Sequence, residues 1–181
     1  MALEAWSLER RLALAAALGG MAVALSGIYI PIGPTKAYPV QHMVNVIAGI
    51  LLGPLWAGGL AAVIGIVRMQ LGLGTIYAIP GGIPGAIMVG VAAMLLRRAG
   101  RNPILAAAAE PPGTAIIGFL LALFIFAPLV GDYERWLAAL TPIWLVWLAS
   151  TLSGTILGVA ALKVLEAAGL VRLKAEASDR G

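Results

Sequence analysis

From Leu8 to Ala167 the chain is a succession of apolar stretches, and its charges gather at the breaks between them. A helix that crosses a membrane needs roughly 17–25 predominantly apolar residues. Soluble domains carry charge on about a quarter of their residues, whereas here 11% are charged and 61% hydrophobic. The chain therefore reads as an all-α integral membrane protein, with residues 1–181 forming one membrane domain. The opening segment, MALEAWSLERRLALAAALGGMAVALS, has acids before its apolar run and no clear small-residue cleavage site after it. It is expected to be a retained helix rather than a leader.

The breaks divide the chain into six predicted helices at about 8–28, 40–52, 55–71, 81–96, 113–129 and 142–167. Ser7 is a plausible N-cap of the first, and Thr141-Pro142 suits the N-cap and first turn of the sixth. Residues 29–39 carry three prolines and should be extended, Gly53-Pro54 breaks the second helix from the third, and residues 131–140 read as a loop. The run 40–52 is short for a crossing. It is expected to be tilted or re-entrant and lined by protein, because irregular backbone is tolerated in a membrane only away from lipid.

Six crossings place Arg10, Arg11, Arg97, Arg98, Arg101, Lys163, Arg172, Lys174 and Arg180 on one side, nine of the twelve basic residues. Basic residues mark the cytoplasmic side, so both termini are predicted to face the cytoplasm (N-in, C-in) in the cell membrane. A net charge of +4 is no nucleic-acid signal when the basic residues flank apolar spans. The absence of cysteine excludes disulfides and thiolate chemistry, and no GxxxxGK[ST] loop for ATP occurs. No metal site or cofactor is expected, and the two halves show no inverted repeat. Glu4, Glu9, Glu110, Asp132, Glu134, Glu166, Glu176 and Asp179 all fall at predicted helix ends or in loops, which argues against an intramembrane proton relay.

Ile30 to Trp56, IPIGPTKAYPVQHMVNVIAGILLGPLW, sets Lys36, Gln41, His42 and Asn45 in apolar surroundings, and His42 is the sole histidine. Gln41, His42 and Asn45 share one broad helix face. The predicted topology brings Arg68 and Tyr77 to the same outer depth, together with Trp144 and Trp147, an i, i+3 pair, and Ser150. Apolar walls, stacking rings and a few fixed polar groups suit a small-molecule pocket. With Lys36, His42 and Arg68 embedded and no acid among them, it should favour an anionic or acceptor-rich ligand. Each residue also has a plainer explanation. Gln41 and Asn45 could bridge helices, Arg68 could snorkel, and Trp144 and Trp147 could join an interfacial belt. It is the shared depth of the group that favours a pocket. Trp6, Trp56 and Trp136, at predicted span ends, are assigned to the belt. Ala13 and Ala17 form a small-xxx-small pair continued by Ala16, Gly20 and Ala24, which suits packing within the bundle or close approach of another helix.

The runs IPIGPTKAYPVQHMVNVIAGILLGP and RMQLGLGTIYAIPGGIPGA resemble the ThiW family, substrate-binding S components of energy-coupling-factor vitamin transporters. The similarity is densest from Pro31 to Gly90 and returns in EPPGTAIIG and SGTILG. The resemblance implies a six-helix, non-enzymatic protein that binds a vitamin or precursor on the outer side, in a site closed by the loop between the first two helices. It implies partners, a transmembrane T subunit and two ATPase subunits, with Ala13 and Ala17 on the face that docks the T subunit. It also implies a ligand, the thiazole precursor of thiamin, hydroxyethylthiazole or a close relative. Lys36 would then clamp the loop. Gln41, His42 and Asn45 would bond the ring nitrogen and hydroxyl, Arg68 would hold the polar tail, and Trp144 and Trp147 would stack on the ring. Alternatives are an S component for thiamin, a pyrimidine or another precursor, a structural or channel-forming protein, and an intramembrane hydrolase with His42 as base and Ser150 or Ser153 as nucleophile. The hydrolase lacks an orienting acid at that depth in the sequence reading.

Overall fold

The computed structural model describes residues 6–32 and 35–173, so Glu4, Lys174, Glu176, Asp179 and Arg180 lie outside the described residues. The chain is mostly helical. α1 (Leu8–Ala24) runs into a short 3-10 turn (Leu25–Gly27) and a hairpin of β1 (Ile30–Ile32) and β2 (Thr35–Ala37). Then come α2 (Pro39–Leu52), α3 (Pro54–Gln70) and α4 (Ala78–Arg98). A long helical segment, α5 (Pro103–Leu129), is followed by short α6 (Tyr133–Ala138) and by α7 (Leu140–Ala167). Among the described residues α4, α5 and α7 are long and apolar enough to cross a membrane, while α2 and α3 are shorter apolar helices.

α2 is the centre of the molecule. It packs against α1, α3, α4, α5 and α7, and every residue in it except Val40 and Met43 is buried. At 1.5 Å per residue it is only about 21 Å long, against a hydrocarbon core of about 30 Å. A helix sheathed by others need not match the lipid thickness, and its polar residues meet protein rather than acyl chains. The outer faces of its neighbours carry the exposed apolar side chains, such as Val63, Leu95, Phe124 and Ile156. At the far end of α2, Arg97 donates to the Ile50 carbonyl at 2.6 Å, tying the end of α4 to the last turn of α2, where a cation is favoured.

Ser7 caps α1, its hydroxyl accepting from the Arg10 amide, as expected. Four sequence expectations need correction. Residues 29–39 hold an antiparallel hairpin in which Ile30 faces Ala37, rather than an extended loop. α7 begins at Leu140, with Ala139 in the cap position and no side-chain cap, so Thr141 is not the N-cap. Residues 133–138 form α6, too short for its periodicity to show in sequence. The fifth helix begins at Pro103, and Pro111-Pro112 lie within it. Two successive prolines remove two backbone donors, and the segment passes them by winding as a 3-10 helix before them (Pro103–Ala109) and as a π-helix after them (Gly113–Gly118). Asn102 caps the start, its side chain accepting from the Ile104 amide at 3.0 Å.

Candidate functional site

A cavity of about 560 Å³ opens between the hairpin, the starts of α2 and α4, the end of α3, and α5, α6 and α7. That volume suits a small organic ligand. Lys36, Gln41, His42, Arg68, Tyr77 and Trp147 line it, as does Ser150. Asn45 and Trp144 do not.

One wall is aromatic and comes from the second half of the chain. Trp136 of α6 is buried, with its ring centroid 4.6 Å from Tyr77, 5.5 Å from Phe119 and 5.9 Å from Trp147. This overturns its assignment to an interfacial belt: α6 turns back at Asp132 and delivers the indole inward. Trp144 and Trp147 were expected to act together. Residues three apart differ by about 60° around a helix, and here that separates them. Trp147 meets Phe119 edge-on at 5.7 Å in the cavity wall. Trp144 instead donates its indole N–H to the Ala115 carbonyl at 2.9 Å and borders a separate apolar groove on the α5–α7 side.

Another part of the lining is cationic. Arg68 is 2% exposed. Its guanidinium lies 4.2 Å over the Tyr38 ring and donates to the Gln41 side-chain oxygen and, at 3.4 Å, to the Leu73 carbonyl. Its Nε–H is buried without a partner, and no carboxylate pairs with it among the described residues. A buried cation is costly unless paired, and the partners of this one are the Tyr38 ring and two neutral oxygens. Lys36 sits 4.0 Å over the Tyr29 ring, and the Tyr38 amide donates to the Ser150 hydroxyl at 2.7 Å, which ties the exit of the hairpin to α7.

The lining is not free of acids, contrary to expectation. Asp132 is part of it and accepts from the Tyr77 hydroxyl at 2.8 Å. Tyr77 lies in the loop before α4. Burial, then the bond to Asp132 and that residue's charge, push its pKa up to about 12, so the phenol remains a donor at physiological pH. The second correction is larger. Glu110, read from sequence as a helix-end residue, is fully buried. One of its oxygens, Oε1, lies 2.7 Å from His42 Nδ1 and accepts from Thr114 Oγ1 at 2.9 Å and Asn45 Nδ2 at 3.2 Å. Asn45, 1% exposed, also donates to the Gly82 carbonyl at 3.1 Å. Its amide therefore braces Glu110 and α4 from behind the cavity. Two glycines make room for this cluster. A Cβ at Gly85 would stand 2.8 Å from Glu110 Oε1, and one at Gly154 would stand 2.5 Å from the Cβ of His42.

Glu110, Thr114, Trp136, Tyr38 and Asp132 were missed as site residues. For Glu110 a signal existed. ILAAAAEPPGTAIIG is a continuous apolar run with a single acid, and Thr114 stands one helical turn beyond it. The double proline masks both, because it reads as the break before a helix starting at 113.

A family model described as thiamine-precursor transporter protein (ThiW) matches residues 12–168. The chain belongs to the ThiW family. Neither the curated proteins nor the solved structures compared with it contain a match. As a ThiW protein it is a component of a thiamine-precursor transporter. The ThiW chain does hold an acid against His42, Glu110, where the sequence predicts none. Neither serine stands as a nucleophile beside that histidine, however. Ser150 Oγ accepts from the Tyr38 amide and Ser153 Oγ donates to the carbonyls of Ala149 and Ser150, with no bond from either to His42 among the described residues.

Proposed function

We propose that this protein is the substrate-binding S component of an energy-coupling-factor importer, and that it takes the thiazole precursor of thiamin from the outer side of the cell membrane. In this reading the chain crosses the membrane six times with both termini in the cytoplasm, and the β1–β2 hairpin is a lid over the site. The observation that carries it is the cavity itself, which combines aromatic faces, a buried cation without a carboxylate partner among the described residues and a histidine, all beside that hairpin. Trp147 and Trp136 offer faces for a flat ring. Arg68 holds the acceptor-bearing end of the ligand, Lys36 clamps the hairpin, and Gln41 and Tyr77 fix the groups around them. Asn45 and Trp144 support the site from behind. Thiamin, itself a cation, is less well matched, because Lys36, Arg68 and Arg135 outnumber Asp132 in the lining.

Energy must come from elsewhere, since the chain has no ATP-binding loop. The partners in this reading are two ATPase subunits and a T subunit. The T subunit would dock on α1, where Ala13, Ala16, Ala17, Gly20 and Ala24 present an exposed face of small residues that allows close helix approach. The reading is non-enzymatic and needs no cofactor or metal. Calorimetry on the purified protein with hydroxyethylthiazole, thiamin and a pyrimidine precursor tests it. Hydroxyethylthiazole should bind best, and Trp147→Ala should weaken it roughly tenfold or more, the loss expected for an aromatic anchor. Absence of thiazole binding, with tight binding of another vitamin, would overturn the assignment.

A further inference from the structure

From sequence alone His42 can serve as either donor or acceptor. For the neutral ring, the buried cluster behind it decides. Oε1 of Glu110 already receives hydrogen bonds from Thr114 and Asn45, so it faces His42 as an acceptor, and the proton of the 2.7 Å contact belongs on Nδ1 of the imidazole. In a neutral imidazole the other nitrogen is then bare. Nε2 has no partner among the described residues, yet it is not among the sealed polar atoms, and His42 lines the cavity. The bare nitrogen thus opens toward the ligand space. Carboxylates fix ligating histidines in the same way at metal sites, where the outer partner sets the tautomer, although no group of three or more metal-ligating side chains occurs among the described residues.

We propose that Glu110 is a positioning residue that holds His42 as a hydrogen-bond acceptor, so that the site selects ligands bearing a hydroxyl or N–H donor at that point. This rests on the thiazole reading only for the choice of probe. The cavity is then polar in a directed way, with Arg68 supplying donors at one place and His42 an acceptor at another. A precursor alcohol satisfies His42, and the same molecule with its hydroxyl capped does not. Sites built to bond a hydroxyl reject analogues lacking it because a buried polar group is left unpaired.

Because His42 is the only histidine in the chain, labelling histidine with ¹⁵N gives a single imidazole in the spectrum of the whole protein. In its neutral form the imidazole of the wild type should show a protonated Nδ1 and a bare Nε2. Hydroxyethylthiazole should shift Nε2 and bind about tenfold or more tightly than its O-methyl ether. Glu110→Met should mix the tautomers and bring the two affinities to within about twofold, whereas Glu110→Gln, which keeps an acceptor at Oε1, should restore both readouts. A merely structural role for Glu110 would weaken both compounds alike and leave the tautomer unchanged. A protonated Nε2 in the neutral ring of the wild type, or equal affinity for alcohol and ether, would overturn the proposal even where Glu110→Met does not fold. If neither compound binds but Nε2 is bare and responds to Glu110 as stated, the positioning role stands and the thiazole reading fails.

Discussion

His42 and Glu110 sit in surroundings that would penalise either alone. A buried ionisable group without a partner costs several kcal/mol. This pair is set among Asn45 and Thr114, with Oε2 of Glu110 buried without a partner among the described residues. The cluster fits because α4 carries glycine where it passes Glu110. Gly85→Ala would push a methyl group against Glu110 Oε1 and Thr114 Oγ1. The expected result is a loss of about 1–3 kcal/mol of stability, the usual cost of overpacking, read from thermal melts in detergent. Ligand affinity should fall with it, since displacing Glu110 tilts His42.

At the scale of elements, α5 and the hairpin matter most. α5 is irregular where it meets the site. Its π-helical turn carries Thr114 into the cavity lining, and such local widening is frequent at functional positions. Among the described residues, the exit of the hairpin is tied to α7 by the Tyr38 amide, which donates to Ser150 Oγ at 2.7 Å. Ser150→Ala removes that acceptor. A lost hydrogen bond of this kind is worth about 0.5–1.5 kcal/mol. Ligand dissociation should quicken by up to roughly tenfold with little change in melting temperature, as stopped-flow displacement would record. An unchanged dissociation rate would mean that the hairpin does not govern release.

For the whole molecule the open question is how the bundle lies in the membrane. Among the described residues three helices are long enough to cross by themselves, and α2 is short but enclosed by the rest. Six crossings put the α3–α4 connection outside and the α4–α5 connection inside. The chain has no cysteine, so single introduced cysteines report their side without background. Leu71→Cys should react with an impermeant maleimide on intact cells, and Arg101→Cys only after permeabilisation. Labelling of both from outside would rule out the six-span arrangement.

The sequence by itself determined the membrane class, most helix positions to within a few residues, and the concentration of polar side chains from Lys36 to Asn45. These follow from local properties, namely apolar run length, proline and glycine breaks, and polar residues that stand out against an apolar background. The family resemblance depended on the same stretch and agrees with the match over residues 12–168. Tertiary structure alone decided which polar residues face the cavity and which support it. Asn45 and Trp144 stand behind the site because helix rotation, invisible in a run that is apolar all round, sets where each side chain points. Glu110 and Trp136 reach the site from elements whose local signals were misleading, a double proline and a six-residue helix. Their partners lie 68 residues away in the case of His42 and across α5 and α7 in the case of Trp136. Contacts between such distant parts of the chain depend on how the helices pack, and no spacing within one segment records that.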